Sequence, residues 1–538
     1  MYIVGSALGE LCLSGAVGAP LAGAVVSVAG RGERSHRAAA RLGWISAFLA
    51  VAAVVVVALH GPFVAAVDAG HGQVVLGLWA DQLTVTLVLL VCVVGAVVQS
   101  FSLRHLEGDR TARRFFAATG VVVAAMAVVC ASATAAVLVA AWVAAGAAFV
   151  VALGCRPDLP GVRAATRRTI RMFVVGDLAV VVALALVWLR AGNLDLASAD
   201  ALRSAAAHLG GLATPVALLV AVAVSTRCAQ GPLGRWLPGT VSAPTPTSAL
   251  LHAGVVNGGG VLLMRFGVLA GASMPAMVVV FTVAAVTAAV ATQAMVRKAD
   301  VKGALVLSTM GQMGFMLAEC TVGAYLAAVV HLIGHALYKA TLFFGSGAQV
   351  PRLGEEPVVP ATVMPRAVRA GVSAAAAAAA VAVMAAVPQV LAERAGAVLV
   401  VFAVGTAASA SWSWWGRAPA STRGALVWAT TLLGAGAAYG LVLDGLGLWI
   451  GPSLPAVGAG VLSPWWLAAV AVPGLAGAVA SRLPSVHRRL VAVLVDATAP
   501  PPAAFARPGT GGGAGRVARA EGPAYAPSLE GAWEESAA

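Results

Sequence analysis

Three titratable side chains lie at intervals of four residues in one apolar stretch of this sequence: His331, His335 and Lys339. At 1.5 Å of rise per residue, this spacing places them on one face of a helix over roughly 12 Å. Histidine titrates near neutral pH and a buried lysine can release its proton, whereas arginine keeps its proton. The chain has 34 Lys and Arg residues, of which only Lys298, Lys302 and Lys339 are lysines. The residue types therefore indicate proton transfer along this stripe.

Two other interpretations of the stripe remain open. Histidines four residues apart can ligate zinc, but no acidic residue lies between His331 and His335 and no third ligand is evident nearby. In the other interpretation, the histidines hydrogen-bond to neighbouring helices while Lys339 extends its ammonium group to the membrane interface. If the stripe transfers protons, Asp300 and Lys302 are expected at its cytoplasmic approach.

A second polar block occupies residues 223–265. Arg227 closes an apolar run and Gly231-Pro232 follows, so we expect the helix to break or kink there and to leave backbone groups in need of polar partners. Broken helices are common at the ion sites of transporters. His252 and Asn257 are expected to begin the next helix. We assign the prolines and glycines of this block to the break itself or to close helix packing: Pro232, Pro244, Pro246, Gly258 and Gly259.

Asp177 stands alone in the apolar sequence Met-Phe-Val-Val-Gly-Asp-Leu-Ala-Val-Val. A single carboxylate at membrane depth is expensive to bury, which makes it a functional candidate. The alternative is a purely structural partner to an arginine on a neighbouring helix. We expect Asp177 to pair with Arg227, and we include His252 with these groups in the candidate relay.

The composition indicates a membrane protein. Sixty per cent of the 538 residues are hydrophobic and ten per cent are charged, too few charges to cover the surface of a soluble globule. Charge-free runs long enough to cross a bilayer recur along the chain and predict an all-α protein with about fifteen transmembrane helices. The arginines form short clusters between these runs, as in cytoplasmic loops, so the net charge of +13 does not indicate nucleic-acid binding.

The same charge clusters predict the topology. An amino terminus outside and a carboxyl terminus inside the cell place every Arg-rich connection on the cytoplasmic side. We take the apolar first thirty residues, which lack a basic leader, as the first helix and not as a cleaved signal. Residues 1–496 are predicted to form the polytopic membrane domain. Residues 497–538, rich in Pro, Gly and Ala, are predicted to be a disordered cytoplasmic tail.

Four motifs resemble the proton-translocating membrane subunits shared by respiratory NADH:quinone oxidoreductase, where the type is called subunit 5 or L, and by Mrp-type cation/proton antiporters. They are Arg227 to Gln230 with Trp236-Leu237-Pro238, Ala243 to Ala253, Asp300 to Lys302 with Ser308 to Gly314, and His331 to Gly347. The resemblance implies two inverted five-helix repeats, each with a broken helix, around a polar axis. It places the core proton-translocation motif at about residues 115–410.

The sequence departs from this family in three places. Where the family usually has a lysine in its first broken helix, this chain has Arg227. Where the family has a carboxylate after a tryptophan on the fifth helix, the chain reads Trp142-Val143-Ala144-Ala145-Gly146. After Lys339 there is no further lysine, so the usual terminal lysine of the second repeat is missing.

The stretches Leu251 to Gly260 and Lys302 to Met316 look most like DabB, the membrane subunit of energy-coupled inorganic carbon uptake systems. That resemblance implies a plasma-membrane transporter subunit, not an enzyme, that conducts protons or Na⁺. It implies a cytoplasmic DabA-like partner that carries the zinc, with no cofactor or metal in this chain. The alternatives are a subunit of a respiratory oxidoreductase or Mrp-type antiporter, and a scaffold bundle that conducts nothing.

Overall fold

The computed structural model describes residues 2–68, 74–192, 195–295, 297–298, 300–346, 364–386, 396–416, 421–454 and 461–467. The predicted tail at 497–538 lies outside the described residues. Every structural statement below refers to these ranges.

The amino-terminal region contains six long helices and one hairpin of strands. Their bounds are α1 Tyr2–Ala29, α2 Glu33–His60, β1 Phe63–Asp68, β2 Val74–Ala80, α3 Gln82–His105, α4 Ala112–Ala131, α5 Ala135–Leu153 and α6 Val162–Ala191. Side-chain caps define two of the starts, because Asp81 accepts a hydrogen bond from the Thr84 amide at 2.7 Å and Thr134 is the cap of α5. Residues 132–134 separate α4 from α5.

The middle of the chain is built from shorter helices joined by 3₁₀ turns. The α-helices are α7 Ala199–His208, α8 Ala213–Arg227, α9 Thr245–Ala253, α10 Gly258–Arg265 and α11 Gly267–Ala270. The 3₁₀ turns are Gly210–Leu212, Gly231–Gly234, Leu237–Ser242 and Val255–Asn257. Within this region the span Thr245–Arg265 is almost entirely buried, whereas α7 is partly exposed. The region packs against α3, α6, α12, α13 and α14.

Long helices return in the last part of the described chain. They are α12 Met274–Met295, α13 Val301–Thr321, α14 Tyr325–Phe344, α15 Arg366–Ala385, α16 Gly396–Trp415 and α17 Thr422–Ile450. Two 3₁₀ turns follow, Gly451–Ser453 and Pro464–Leu467. Helices α13 and α14 form an antiparallel hairpin joined by three residues, and Gly323 in that turn adopts a left-handed φ of 75°.

Thirteen helical segments of the described residues are long and apolar enough to cross a membrane. The prediction of about fifteen such helices also covers residues outside the described ranges. Large apolar side chains face outward on these helices: Phe48 is 73% exposed and Leu441 is 75% exposed. Such exposure is costly in water but suits contact with lipid. The chain is a multi-pass membrane protein.

The prediction of an all-α chain misses the β1–β2 hairpin. The two strands pair antiparallel with Phe63 opposite Ala80, and Leu78 forms a bridge to Ser132 in the α4–α5 turn. Both strands are too short to cross a bilayer, and their Val and aromatic residues favour extended structure. The hairpin covers the ends of the helices on the side opposite the Arg-rich connections.

The predicted break after Arg227 is present. Helix α8 ends at Arg227, four residues before Gly231, and Ala229 takes a positive φ of 55°. The placement of His252 at the start of the next helix is wrong, because α9 begins at Thr245 and contains it. Asn257 lies in the interruption between α9 and α10. The sequence signals located the end of α8 and the start of α10, where Asn257 is the N-cap, and missed the start of α9.

Candidate functional site

Arg227 and Asp177 form a buried ion pair in the first half of the molecule. Arg227 ends α8 with 2% of its side chain exposed, and its Nη2 lies 3.0 Å from Oδ1 of Asp177 on α6. The same nitrogen donates a longer hydrogen bond of 3.4 Å to the carbonyl of Trp142 on α5. The pairing expected from the sequence is therefore present as a direct contact.

Two aromatic rings enclose the guanidinium group. Its central carbon lies 4.1 Å from the ring centroid of Trp142 and 4.3 Å from that of Phe173. A planar guanidinium stacks well on such rings and stays charged. We call Trp142, Phe173, Asp177 and Arg227 the arginine site. Its groups hold a permanent positive charge in one orientation.

Gly146 explains how an arginine fits here. A Cβ atom built on Gly146 would lie 3.1 Å from both terminal nitrogens of Arg227. The guanidinium group thus occupies the space that a side chain at this position of α5 would need. The carboxylate that the family resemblance places on α5 is absent, and Asp177 supplies a carboxylate from α6 in its place.

The second half of the molecule holds a different arrangement, in which three polar contacts join α13 to α14. The first contact involves Lys339, which is 1% exposed and donates hydrogen bonds to Oγ of Ser308 and, at 3.2 Å, to the carbonyl of Leu305. Within the described residues Lys339 has no carboxylate partner. A buried lysine with neutral partners can exist without its proton, because no anion holds the charged form in place.

His335 makes the second contact. Its Nδ1 lies 3.0 Å from Oε1 of Gln312, and its Nε2 lies 3.1 Å from the carbonyl oxygen of His252. That carbonyl is near the carboxyl end of α9, where the interruption removes the helical partner that it would otherwise have. The imidazole of His252 is fully buried and stacks on Phe343 at 4.6 Å.

The third contact joins His331 to a residue that the sequence analysis did not select, Glu319. Nδ1 of His331 lies 3.0 Å from Oε2 of Glu319, and the two side chains are 10% and 3% exposed. The rings of His331 and His335 lie 6.2 Å apart between centroids. We call the contacts Lys339–Ser308, His335–Gln312 and His331–Glu319 the polar row.

Asp300 and Lys302 lie at the amino-terminal end of α13, next to the basic connection that contains Arg297 and Lys298. Asp300 caps α13, because its Oδ2 accepts a hydrogen bond from the Gly303 amide at 2.5 Å. Lys302 donates to the carbonyl of Ala243 at 3.3 Å. Along α13, both residues precede Ser308, which is the first member of the polar row and the partner of Lys339.

The remaining residues of the predicted block shape the broken helices. Pro232 lies in a 3₁₀ turn, Pro244 precedes α9 and Pro246 lies in its first turn, where the missing amide proton costs nothing. A Cβ atom on Gly258 would contact Arg227, and one on Gly259 would lie 2.5 Å from Sγ of Cys228. These glycines allow α10 to pack closely against the end of α8, as the packing interpretation predicted.

Gln230 connects the two halves of the site. Its Nε2 donates to the carbonyl of Cys228 at 2.6 Å and to that of Met310 on α13 at 3.2 Å. Nearby, Asn257 donates to the carbonyl of Ala253 at 2.9 Å across the interruption of α9 and α10. In the described ranges, no group of three or more His, Cys, Asp or Glu side chains is placed to hold a metal ion.

The profile of the family described as "NADH:quinone oxidoreductase/Mrp antiporter, TM" matches residues 136–404, which is half of the chain. The chain belongs to this family. A second profile, described as "NADH-Ubiquinone oxidoreductase (complex I), chain 5 N-terminus", matches residues 67–116. The first match includes the arginine site and the whole polar row.

Relatives in this antiporter family have two kinds of name. The "Probable inorganic carbon transporter subunit DabB" of Bacillus anthracis is 35% identical over 53% of this chain and 56% of its own length. The "Probable inorganic carbon transporter subunit DabB1" of Halothiobacillus neapolitanus is 35% identical over 53% of this chain and 51% of its own length. "NADH-quinone oxidoreductase subunit L" of Mycobacterium tuberculosis is 32% identical over 56% and 47%. The chain thus matches about half the length of these relatives.

Solved structures share the antiporter-like fold. The Mrp complex from Dietzia sp. DQ12-45-1b contains a chain that superposes with a TM-score of 0.61, at 24% identity, over 91% of this chain and 58% of that one. A chain of an archaeal membrane-bound sulfane sulfur reductase superposes with a TM-score of 0.59 at 18% identity, over 84% and 99%. The first neighbour is a chain of the Mrp complex, and the second is a chain of an archaeal respiratory membrane complex.

Proposed function

We propose that this chain is the proton-conducting membrane subunit of an energy-coupled inorganic carbon uptake complex. The observation that carries the proposal is the polar row. In it, Lys339, His335 and His331 on α14 contact Ser308, Gln312 and Glu319 on α13 along a buried hairpin. Each of these groups exchanges protons more readily than arginine does, and together they cover about 12 Å of membrane depth.

The inorganic carbon assignment rests on the relatives named DabB. We propose a partner of the DabA type, a cytoplasmic zinc protein that uses the energy of conduction to hydrate CO₂ in one direction. In this arrangement the present chain is a transporter subunit and not an enzyme, and the zinc belongs to the partner. The chain lies in the plasma membrane with its amino terminus outside and its carboxyl terminus in the cytoplasm, so that the Arg-rich connections face the cytoplasm.

A second candidate function is proton pumping in a respiratory oxidoreductase or exchange in an Mrp-type antiporter. The relative from M. tuberculosis and the fold shared with the Mrp complex favour this alternative. Isolation of the native complex separates the two candidates. Co-purification of a large zinc protein supports inorganic carbon uptake, whereas a set of redox subunits supports the alternative.

Replacement of Lys339 tests conduction itself. The chain and its partner are expressed in cells that need added CO₂ for growth, and growth in air is scored. Lys339→Ala is expected to abolish growth in air, because the step at Ser308 loses its titratable group. Lys298→Ala is the matched control, since Lys298 is an exposed lysine in the α12–α13 connection. Growth of the Lys339→Ala strain at the wild-type rate would remove the basis of the proposal.

A further inference from the structure

Glu319 lies on the last turn of α13, at the end opposite Lys302. Only 3% of its side chain is exposed, and its carboxylate contacts His331 at 3.0 Å. A buried carboxylate is expensive unless it is paired or protonated. No other acidic residue lies within α13 or α14. The hairpin therefore contains one carboxylate, and that carboxylate touches the stripe.

The antiparallel register of the hairpin gives Glu319 a defined place in the row. Moving along α13 from Ser308 through Gln312 to Glu319, the partners on α14 run backward from Lys339 through His335 to His331. Ser308 and Glu319 are separated by about 16 Å along the helix axis, and Lys302 and Glu319 by about 26 Å. The second distance approaches the roughly 30 Å thickness of the hydrocarbon core.

We propose that Glu319 exchanges a proton with His331 and forms the terminus of the conduction path on the side of the membrane opposite Lys302. This inference rests on the proposed function. In the step, the N–H bond at Nδ1 of a protonated His331 breaks and an O–H bond forms at Oε2 of Glu319. The ion pair becomes a neutral pair, and no other reactant is needed. The reverse step returns the proton to His331.

The surroundings of Glu319 suit this role. Its carbonyl accepts a hydrogen bond of 2.9 Å from the Ala324 amide, so the three-residue turn is fixed above it. In the described residues the carboxylate has no Lys or Arg partner, and its ion pair is with His331.

With Glu319 included, the polar contacts between α13 and α14 extend along the hairpin from Ser308 to the last turn of α13. The second contact of the row uses Gln312, whose amide binds a histidine but does not titrate. The carboxylate of Glu319 at the third contact can accept a proton from His331, which a partner with a purely structural role would not need to do.

The test compares two replacements of Glu319 in the complete complex. Proton flux is measured in membrane vesicles from the collapse of an imposed pH gradient. Glu319→Gln keeps a hydrogen-bonding side chain of the same size but cannot take up the proton, and it is expected to lower the flux by about tenfold or more. Glu319→Asp restores the carboxylate and is expected to stay within roughly threefold of the wild type.

Two outcomes would overturn the inference. Wild-type flux in Glu319→Gln shows that the carboxylate does not carry the proton, and equal losses in Gln and Asp show that only the shape of the side chain matters. If Glu319→Gln does not accumulate in membranes, His331→Gln decides, because the step needs both partners and wild-type flux in that variant excludes it.

Lys339→Ala, measured in parallel, separates this inference from the proposed function. Loss of flux in Lys339→Ala with normal flux in Glu319→Gln rejects the role of Glu319 alone. Normal flux in both variants rejects conduction through the hairpin.

Discussion

The arginine site and the polar row solve the problem of buried charge in opposite ways. At the arginine site, Arg227 is paired with Asp177 at 3.0 Å and lies between two aromatic rings, so its charge is fixed. In the polar row, Lys339 has neutral oxygen partners and His335 contacts an amide and a carbonyl. A buried lysine or histidine without a counter-ion can change protonation state, whereas a paired and stacked guanidinium does not. Within the described part of the row, His331 differs from the other two groups in that it contacts a carboxylate, that of Glu319.

This difference assigns separate tasks to the two halves. The arginine site supplies a constant field and holds α5, α6 and α8 together. Under the proposed function, the polar row supplies the groups that take up and release protons. Gln230 contacts both α13 and the end of α8, and so connects the two sites.

The sharpest test of the comparison gives the polar row an arginine. Lys339→Arg keeps a positive charge next to Ser308 but removes the neutral form, so conduction is expected to fall by about tenfold or more. The measurement is proton flux in vesicles that contain the complete complex. Lys298→Arg in the exposed connection is the control. Flux close to that of the wild type in Lys339→Arg would mean that the row also works through fixed charge.

The next prediction removes the charge of the arginine site. Arg227→Met leaves the carboxylate of Asp177 without its partner in an apolar setting and is expected to cost about 3–5 kcal/mol of stability. Thermal unfolding of the detergent-solubilised protein measures the loss. The double variant Arg227→Met with Asp177→Asn is expected to recover part of it. A single variant as stable as the wild type would contradict a structural ion pair.

A smaller effect is expected from the space above Gly146. Gly146→Ala places a Cβ atom 3.1 Å from the guanidinium nitrogens, and overpacking of this kind costs about 1–3 kcal/mol. Gly334→Ala on α14 is the matched control, because a Cβ atom there meets no atom within 4 Å. The control is expected to gain a few tenths of a kcal/mol or more from the helix propensity of alanine. Equal melting temperatures for the two variants would show that Arg227 has room to move.

The smallest effect on stability is expected from the ion pair of Asp109 and Arg156, which lies outside the membrane-spanning helices. Burial raises the pKa of Asp109, but hydrogen bonds from Thr111 and Arg156 outweigh it and hold that pKa below its ordinary value of 3.8. A carboxyl whose folded pKa is lowered stabilises the protein above about pH 5 and loses this contribution as the pH falls below roughly 4.

Asp109→Asn is therefore expected to lower stability at neutral pH by less than about 1 kcal/mol, as for other partly exposed pairs. The difference from the wild type should shrink toward acid pH in thermal unfolding. Asp158→Asn is the control, since its partner Arg156 is shared but Asp158 is more exposed. A difference that grows at acid pH would reverse the assigned direction.

Much of the fold could be predicted from the sequence, because the membrane requires long apolar helices whose length is set by bilayer thickness. The one-sided placement of His331, His335 and Lys339 also followed from their spacing alone. The β1–β2 hairpin did not, because a strand signal of six or seven residues is weak beside the apolar runs around it.

The site was predicted less completely. Glu319 contacts His331 across a turn, twelve residues away along the chain, and no local pattern joins the two. A signal was nevertheless available, since Glu319 is a lone carboxylate in an apolar helix and meets the criterion that selected Asp177. The role of Gly146 could not be predicted, because it depends on where an arginine from another helix places its nitrogens.

The three residues that join α13 to α14 have a consequence for how the chain tolerates insertions and deletions. Successive residues of a helix are rotated by about 100°, so one residue added to or removed from the turn would turn one helix relative to the other. All three contacts of the polar row would then lose their register together, although no functional side chain had changed. Under the proposed function, the length of this turn is therefore expected to affect transport as strongly as the side chains of the row.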